Sequence, residues 1–461
     1  MMREPAFSLL PAPSIFSLKG RSVLVLGLGD SGLSAARWIE HEGGRVRAAD
    51  TRALPPRGKD FSGELRTGPF RQSLLDGMDL VCVSPGISLE QEIVAQALER
   101  RIPIAGDIEL FAWHVRTRTA AKVLAITGTN GKTTVTSLTG HLLRRAGIDC
   151  EVAGNIGPAA LDSLLQRKLK NRMPAVWVLE LSSYQLETTW SLKPNAAAML
   201  NLSEDHLDRY RGLGDYGAAK ARIFQGAGVQ VLNRADARSL AMRLPGRAAV
   251  TFGLDAPGTD EDFGRVDGWL VQGVRRIVSQ DELAVHGAHN AANVLAACAL
   301  AAAAGVSLQE MGPALRSFRG LPHRLELVAT RAGVDWYDDS KGTNVGATIA
   351  ALEGLAKSAV LILGGEGKGQ DFAPLAPVVA KHAKKVLLIG RDAPLIEKAV
   401  GGERCPTLEE AVRRAAEIAQ PGEAVLLSPA CASFDMFRDY KHRGEAFAAA
   451  VRALPAAGGP A

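Results

Sequence analysis

The sequence predicts an α/β protein of three domains built on parallel sheets. Its 461 residues are more than one hydrophobic core usually serves, and chains of this length divide into domains of about 100–200 residues. Apolar runs alternate with helical patterns along almost the whole chain, which is typical of strand–helix–strand units. We expect a Rossmann-like N-terminal domain, a central domain of the P-loop type and a Rossmann-like C-terminal domain.

Breaks in this alternation predict the domain boundaries. An Arg- and Thr-rich segment at 116–119 is typical of a linker, and Gly320-Leu321-Pro322 ends the helical run that precedes it. The predicted domains are therefore residues 1–115, 116–321 and 322–461. The Gly- and Asp-rich stretch 254–273 indicates an irregular or β-rich excursion, and residues 454–461 indicate a loose tail.

Composition excludes several classes of protein. The net charge of +5 comes without a basic block of the kind that follows a nucleic-acid backbone, so we expect no nucleic-acid partner. The five cysteines are scattered and odd in number, which favours a reducing cytoplasm over a disulfide framework or a zinc site. Residues 1–16 lack the pattern of a signal peptide, and the most apolar helix candidate, 291–306, is too short to cross a bilayer. We expect a cytoplasmic protein that does not insert into membranes.

In the first domain, an apolar strand at 22–26 leads into Gly27-Leu28-Gly29-Asp30-Ser31-Gly32, and Asp50 follows a further strand-like run. This is the form of a dinucleotide fingerprint. Arg52 beside the acid, and Ser84-Pro85-Gly86 after a later strand, suit a nucleotide diphosphate equally well. Both ligands stay open on these residues alone.

In the second domain, the apolar run 123–126 precedes a turn and a helical pattern, an order that forms a phosphate cradle at a helix N-terminus. Lys132 would contact the β- and γ-phosphates of a nucleotide, and the Thr133 hydroxyl would bind Mg²⁺. The common P-loop has a glycine where this chain has Ile126, so the loop is a shortened one. ATP is the predicted ligand, held by Gly128, Thr129, Asn130, Gly131, Lys132, Thr133 and Thr134.

Two polar groups follow later strands of the same domain. Glu180 continues the buried strand 176–179, where an acid needs a charge partner, and a Mg²⁺ ion is the natural one. His206 follows the strand near 198–202 at the same edge. Lys220 lies on a helical pattern and, by its local sequence alone, would be a solvated surface lysine.

In the third domain, strands are predicted near 334–337, 360–364, 386–390 and 425–428. Loops 338–344, 364–369 and 427–434 follow three of them and carry short polar groups and a lysine, suited to a carboxylate or a phosphate. Because ligands bind at the carboxyl ends of strands in open α/β sheets, we expect these loops to line one crevice. Cys431 has no base near it in sequence and is interpreted as a small buried residue.

These motifs together resemble the Mur ligases of bacterial cell-wall synthesis over essentially the whole chain. The resemblance is carried by residues 27–32, 50–52, 84–87, 106–110, 127–134, 154–157, 179–187, 204–210, 321–326, 339–344 and 427–434. The ATP loop is common to the whole superfamily, whereas 180–187 and 428–434 resemble the member that adds D-glutamate.

The resemblance implies an ATP-dependent ligase that joins D-glutamate to UDP-N-acetylmuramoyl-L-alanine through an acyl phosphate. It implies two Mg²⁺ sites, one held by Thr133 and Glu180 and the other by His206 and a carbamylated Lys220, with Lys132, Glu180, His206 and Lys220 as catalytic residues. It further assigns nucleotide contacts to Asn290, Asn293, Arg324 and Asp339. Sugar-nucleotide contacts fall to Asp50, Thr51, Arg52, Ser84, Gly86 and Asn155, and glutamate contacts to Lys341, Thr343, Lys368, Ser433 and Phe434.

Three alternatives remain open at this stage. A sister ligase would add another amino acid, a nicotinamide-dependent oxidoreductase would use the Gly27 loop and Asp50, and an ATP-switched interaction protein would use the phosphate loop without chemistry. The oxidoreductase leaves Lys132 and Glu180 unexplained. We expect the chain to act as a monomer.

Overall fold

A computed structural model of the chain describes residues 17–455 except 207, 208, 286 and 356. Its strands form three sheets of five, nine and six strands, with helices between successive parallel strands. The predicted fold class, three α/β domains on mainly parallel sheets, is confirmed. The boundaries 115/116 and 321/322 stay a prediction. The interpretations of 1–16 and of most of the tail 454–461 fall outside the described residues.

The described residues form two compact units. The first holds the chain up to Leu202 together with Gly214–Val278 and Val294–Leu315. The second holds Ser203–Leu213, Ser279–Asn293 and the chain from Arg316 onward.

The first sheet of unit one is entirely parallel, in the order β3-β2-β1-β4-β5. Its central strand is buried because Val and Leu fill both faces, as expected for a sheet covered on two sides. The elements are β1 (Ser22–Leu26), α1 (Asp30–His41), β2 (Arg45–Asp50), β3 (Glu64–Thr67), β4 (Leu80–Val83), α2 (Glu92–Glu99), β5 (Ile104–Ala105) and α3 (Asp107–Arg118).

The second sheet has a parallel core in the order β11-β10-β9-β6-β8-β7, extended by β12, β13 and β14. These last three strands confirm a β-rich excursion around 254–273, and β12 and β13 pair antiparallel. The elements are β6 (Lys122–Thr127), α4 (Lys132–Arg145), β7 (Cys150–Gly154), α5 (Ala160–Leu169), β8 (Val176–Glu180), α6 (Ser183–Glu187), β9 (Ala196–Met199), α7 (Leu213–Ala221), β10 (Val229–Asn233), α8 (Ala237–Ala241), β11 (Ala249–Phe252), β12 (Phe263–Val266), β13 (Trp269–Gln272), β14 (Arg275–Ser279), α9 (Ala288–Ala304) and α10 (Leu308–Ser317).

A fully buried carboxylate, Glu109 on α3, ties the first sheet to the second. It accepts hydrogen bonds from the backbone N–H of Trp190 and Ser191 at 2.7 and 2.8 Å, and from the Ser191 hydroxyl and the Trp113 indole at 2.6 and 2.8 Å. A buried acid is tolerated where its oxygens are satisfied in this way. One apolar core runs through both sheets, with Phe111 packed edge-on against Trp177.

The third sheet lies in unit two, in the order β15-β16-β20-β17-β18-β19. Only β15 is antiparallel to its neighbour. The four strands predicted from sequence are present. The elements are β15 (Glu326–Arg331), β16 (Val334–Asp338), α11 (Val345–Gly354), β17 (Ala359–Gly364), α12 (Ala376–His382), β18 (Ala383–Ile389), α13 (Ala393–Val400), β19 (Glu403–Arg404), α14 (Leu408–Ile418), β20 (Ala424–Leu427) and α15 (Tyr440–Ala453).

Among the described residues, no helix combines the length and the apolar character that a bilayer crossing needs.

Candidate active site

The phosphate loop lies where the sequence predicts it, between the end of β6 and the start of α4. Gly128 and Gly131 have φ angles of +155° and +83°, a region that side chains rarely adopt. A Cβ at Gly128 would lie 2.9 Å from the Leu200 Cβ, so the loop passes too close to its neighbour for a larger residue. Gly131 is the N-cap of α4 and brings no side-chain acceptor to the first-turn amides. Such a helix N-terminus is suited to an anion.

Two lysines converge on this loop. The half-buried Lys132 ammonium donates to the carbonyls of Gly128 and Thr129 at 2.8 and 2.7 Å. Lys220 on α7 is only 1% exposed, and its Nζ donates to the Gly128 carbonyl at 2.9 Å while lying 4.7 Å from the centre of the Tyr216 ring. The interpretation of Lys220 as a solvated surface lysine is therefore wrong. Its local helical sequence carries no signal of the burial that the fold imposes.

The buried carboxylate beside the loop is Glu180, the last residue of β8. Its backbone pairs in register with Ile126 of β6, which places it next to the phosphate loop. Its Oε1 accepts a hydrogen bond from Asn155 Nδ2 at 2.8 Å. Its Oε2 is buried and makes no hydrogen bond to any described residue. Because an uncompensated buried carboxylate oxygen is costly, this atom indicates a cation at the site.

The first turn of α4 and the end of β8 carry oxygen atoms of the kind that a magnesium ion binds. Mg²⁺ prefers carboxylate and hydroxyl oxygens, and it commonly keeps several waters alongside one or two protein carboxylates and substrate phosphates. Glu180 supplies the carboxylate, and Thr133 in the first turn of α4 supplies a hydroxyl. The site therefore has the chemistry that a phosphate-bound Mg²⁺ requires.

Asn155 contacts Glu180, whereas the other predicted sugar-nucleotide residues belong to the two loops that contact the first glycine-rich turn through Asp50 and Ser84. A Cβ at Gly32 would lie 1.9 Å from the Gly27 carbonyl oxygen, so only glycine fits there. The Ser84 hydroxyl donates to the same carbonyl at 2.7 Å. Gly86 and Thr51 are exposed at this edge.

Asp50 contacts this turn through a backbone hydrogen bond and forms an ion pair with Arg52. Its carboxylate accepts from the Leu28 N–H at 2.8 Å and from two nitrogens of the Arg52 guanidinium at 2.8 and 2.7 Å. Burial tends to raise the pKa of Asp50, but the hydrogen bonds from Arg52 and Leu28 outweigh it and lower the pKa to about 2. In a dinucleotide site the acid binds a ribose hydroxyl. Both oxygens of Asp50 are instead engaged, by Leu28 of the glycine-rich turn and by Arg52, which argues against the oxidoreductase.

In unit two, His206 adopts a left-handed backbone with φ of +57°. Its Nε2 lies 3.8 Å from a carboxylate oxygen of the preceding Asp205. Asn290 is buried, and its amide oxygen accepts a hydrogen bond from Asn293 at 3.4 Å. These three residues were predicted from sequence or resemblance, whereas Asp205 was missed.

The loop after β16 carries Asp339, which accepts hydrogen bonds from the Ser428 hydroxyl at 2.7 Å and the Leu325 N–H at 3.2 Å. Desolvation raises the pKa of Asp339 to about 7, in spite of the Ser428 hydrogen bond and the nearby charge of Arg324. The structure thus joins the loops 338–344 and 427–434 directly, as the sequence predicts.

The predicted glutamate contacts differ in their surroundings. The Lys341 ammonium lies 3.8 Å from the centre of the Tyr440 ring, a cation–π contact. Ser433 is buried at 2% exposure, whereas the neighbouring Phe434 is 71% exposed and Thr343 is half-buried. Cys431 is buried, so its interpretation as a small buried residue is confirmed, and burial raises the pKa of its thiol to about 12.

Arg443 on α15 was also missed from sequence. This side chain is 1% exposed and donates to the carbonyls of Ser340 and Cys431 at 2.8 and 3.0 Å, and to the Ser340 hydroxyl at 3.0 Å. Burial lowers its pKa to about 10. A planar guanidinium reaches several acceptors at once, so Arg443 fixes two of the predicted loops against each other. No local pattern marks it, because its partners come from elsewhere in the chain.

The fold and the phosphate loop define a multidomain α/β enzyme of the P-loop nucleotide-dependent class. Family models match the chain in three successive segments: the Mur ligase MurD-like N-terminal domain over residues 21–106, the Mur ligase middle domain over 126–301, and the Mur ligase glutamate ligase domain over 323–431. The chain belongs to the Mur ligase family, whose members are ATP-dependent ligases.

Curated relatives extend this similarity to nearly the full length. The UDP-N-acetylmuramoylalanine--D-glutamate ligase of Nitrosospira multiformis is 53% identical over 459 residues, covering 96% of this chain and 97% of the relative. The protein of the same name from Aromatoleum aromaticum is 52% identical, covering 95% and 98%.

Solved structures share the fold. The UDP-N-acetylmuramate-alanine ligase of Thermotoga maritima has a TM-score of 0.60 at 19% identity, covering 94% of this chain and 99% of that one. The pseudomurein peptide ligase type C of Methanothermus fervidus has a TM-score of 0.57 at 18% identity, covering 88% and 96%.

Proposed function

We propose that this enzyme forms an amide between the amine of D-glutamate and the alanyl carboxylate of UDP-N-acetylmuramoyl-L-alanine, at the expense of ATP, in the synthesis of peptidoglycan precursors. The observation that carries the proposal is Glu180 beside the phosphate loop, whose buried Oε2 has no hydrogen-bond partner within the part of the chain that the structure describes. The names of the curated relatives supply the choice of substrates.

The chemistry follows from the low reactivity of a carboxylate. A carboxylate becomes a good electrophile when it receives the γ-phosphoryl group of ATP, and the amine then displaces phosphate through a tetrahedral oxyanion. Lys132 would neutralise charge on the β- and γ-phosphates, with the backbone of residues 128–134 orienting the triphosphate. Bound Mg²⁺ would supply electrostatic stabilisation of the transferring phosphoryl group.

Lys220 requires a covalent change to act as a metal ligand. Its ammonium now donates to the Gly128 carbonyl. Reaction of the neutral amine with CO₂ would form a carbamate and release a proton, leaving one N–H and a single negative charge shared by two oxygens. A buried carbamate is an anion that needs a cationic partner, and its oxygens are of the kind that magnesium binds. We therefore propose a carbamylated Lys220 and a second magnesium site. His206, in unit two, stays a predicted magnesium ligand.

The remaining predicted residues keep their roles as proposals. The first glycine-rich turn, with Asp50, Thr51, Arg52, Ser84 and Gly86, would hold the uridine diphosphate end, and Asn155 would contact the substrate beside Glu180. In unit two, Asn290, Asn293, Arg324 and Asp339 would contact the nucleotide, and Lys341, Thr343, Lys368, Ser433 and Phe434 would contact D-glutamate. Because the five scattered cysteines favour a reducing compartment, we propose a cytoplasmic enzyme that acts as a monomer.

Phosphate release measured with UDP-N-acetylmuramoyl-L-alanine and a panel of D- and L-amino acids tests this function. We expect release that depends on D-glutamate, and its loss in Lys132→Ala. The control is Lys193→Ala, which removes a lysine outside the loop. A preference for another amino acid would favour a sister ligase. Phosphate release that needs no amino acid would contradict a ligase altogether.

A further inference from the structure

Asp205 contacts two of the loops that surround the predicted amino-acid site. It is 7% exposed, and its Oδ1 accepts a hydrogen bond from the Lys368 ammonium at 3.0 Å. Its Oδ2 accepts from the Asn344 amide at 3.4 Å. Asp205, Asn344 and Lys368 all belong to unit two.

The carboxylate of Asp205 is held in place, whereas the lysine alone would not be. Asn344 is itself fixed, because its amide oxygen caps α11 by accepting from the Ala347 N–H at 2.9 Å. The His206 N–H donates to Asp205 Oδ1 at 3.0 Å as well. Lys368 has a long flexible side chain and a left-handed backbone with φ of +54°, in a glycine-rich loop. Ordering such a side chain costs conformational entropy.

We propose that Asp205 is a positioning residue that orders the Lys368 ammonium for the side-chain carboxylate of the incoming amino acid. This inference rests on the proposed function, in which Lys368 contacts D-glutamate. A lysine ammonium has three N–H donors, and Asp205 accepts one of them. Because the Asp205 carboxylate is anchored by Asn344 and the His206 N–H, it orients the ammonium before substrate binds and stays in place afterwards. A preorganised donor binds its acceptor more tightly because less entropy remains to be lost.

The pair also provides a basis for selectivity. An ammonium ordered in a partly buried site favours an amino acid with a second carboxylate over its neutral amide, because a carboxylate is a stronger acceptor for a charged donor than an amide oxygen. Asp205 thereby acts on D-glutamate recognition through Lys368, and ATP recognition does not depend on it.

The test compares Asp205→Asn, Lys368→Met and the double variant in steady-state phosphate release. For Asp205→Asn we expect the KM for D-glutamate to rise about tenfold while kcat and the KM for ATP change by about twofold or less, as for loss of one coupled polar pair. The preference for D-glutamate over D-glutamine in kcat/KM falls in parallel. In the Lys368→Met background the same substitution changes the KM for D-glutamate by less than about twofold, because its partner is already absent.

The matched control is Asp335→Asn, which removes another aspartate–lysine ion pair of unit two, the one with Lys357 at 2.6 Å. It leaves all kinetic constants near wild type. The apparent Mg²⁺ requirement is measured for each variant, because Asp205 precedes His206. If Asp205→Asn does not fold, Asp205→Glu retains the charge but displaces the carboxylate, and the same selective rise in KM is expected.

Equal changes in the KM for ATP and the KM for D-glutamate, or additive effects of the two substitutions, would overturn the positioning role of Asp205 but not the proposed function. An unchanged KM for D-glutamate in the folded Asp205→Asn or Asp205→Glu variant would do the same. Absence of D-glutamate-dependent phosphate release by the wild type would overturn the proposed function, and this inference with it.

Discussion

Asn155 and Glu180 form a one-sided pair, in which the amide of Asn155 satisfies Oε1 of Glu180 at 2.8 Å while Oε2 has no hydrogen-bond partner among the described residues. Asn155 directly follows β7, and Glu180 is the last residue of β8. These two strands are parallel neighbours in the sheet. The hydrogen bond from Asn155 orients the Glu180 carboxylate through Oε1 and leaves Oε2 available to bind a cation. The buried negative charge of Glu180 is therefore unfavourable until a cation binds beside it.

Glu180→Gln is expected to lower the activity of the enzyme and to raise its stability. The substitution keeps the shape of the side chain but removes a buried charge, so in the absence of magnesium the free energy of unfolding rises by about 1–3 kcal/mol. Phosphate release falls by about 100-fold or more, because the metal ligand is lost. Urea denaturation and a phosphate assay measure the two effects. Glu92→Gln on the exposed face of α2 is the control, and a Glu180→Gln variant that is both less stable and fully active would contradict this role.

Lys220 carbamylation predicts a spectroscopic signal. Protein equilibrated with ¹³C-labelled CO₂ at mildly alkaline pH is expected to show a carbamate resonance by ¹³C NMR, strengthened by magnesium and absent in Lys220→Met. Lys122→Met is the matched control, because Lys122 is another lysine that donates to a backbone carbonyl, that of Ala304. A carbamate signal that persists in Lys220→Met would assign the modification to a different amine.

The Asp50–Arg52 ion pair predicts a contribution to stability that depends on pH. The pKa of Asp50 is lowered to about 2 in the folded chain, below the unfolded value of about 3.9. Its stabilisation is therefore present above about pH 4 and is lost as the pH falls toward 2. Asp50→Asn should lower the free energy of unfolding by about 1–2 kcal/mol at pH 7 and by almost nothing near pH 2. The value at pH 7 allows for solvent screening, because Arg52 is half-exposed. Denaturant titrations at several pH values measure this difference. A cost that is the same at every pH would contradict it.

The raised pKa of Asp339 predicts the opposite dependence of stability on pH. Its pKa is raised to about 7 in the folded chain. In the window from about pH 4 to pH 7 the unfolded chain loses the proton while the folded chain keeps it, so the wild type loses stability as the pH rises. Asp339→Asn removes this penalty and is expected to unfold at a higher temperature than wild type at pH 8, with the difference disappearing near pH 4. Calorimetry at both pH values measures it, and a variant less stable than wild type at pH 8 would contradict the prediction.

The sequence predicts those parts of the site that are local in the chain. The phosphate loop and Glu180 could be found because a glycine turn after an apolar strand, and an acid continuing a buried strand, each carry a physical meaning by themselves. Lys220 could not, since its helix is unremarkable and its burial depends on the packing of α7. The Asp205–Lys368 pair spans 163 positions. Only the folded chain brings such residues together.

The key step of the proposed reaction is activation of the alanyl carboxylate by phosphoryl transfer from ATP at the loop that holds Lys132. An isotope experiment tests it most directly: UDP-N-acetylmuramoyl-L-alanine labelled with ¹⁸O in its carboxylate is incubated with ATP, Mg²⁺, D-glutamate and enzyme, and the released phosphate is analysed by mass spectrometry. When both carboxylate oxygens are ¹⁸O, the one that bonds to phosphorus leaves with it, so we expect one ¹⁸O in each phosphate released. Phosphate without the label, formed at the same rate as the amide, would contradict it.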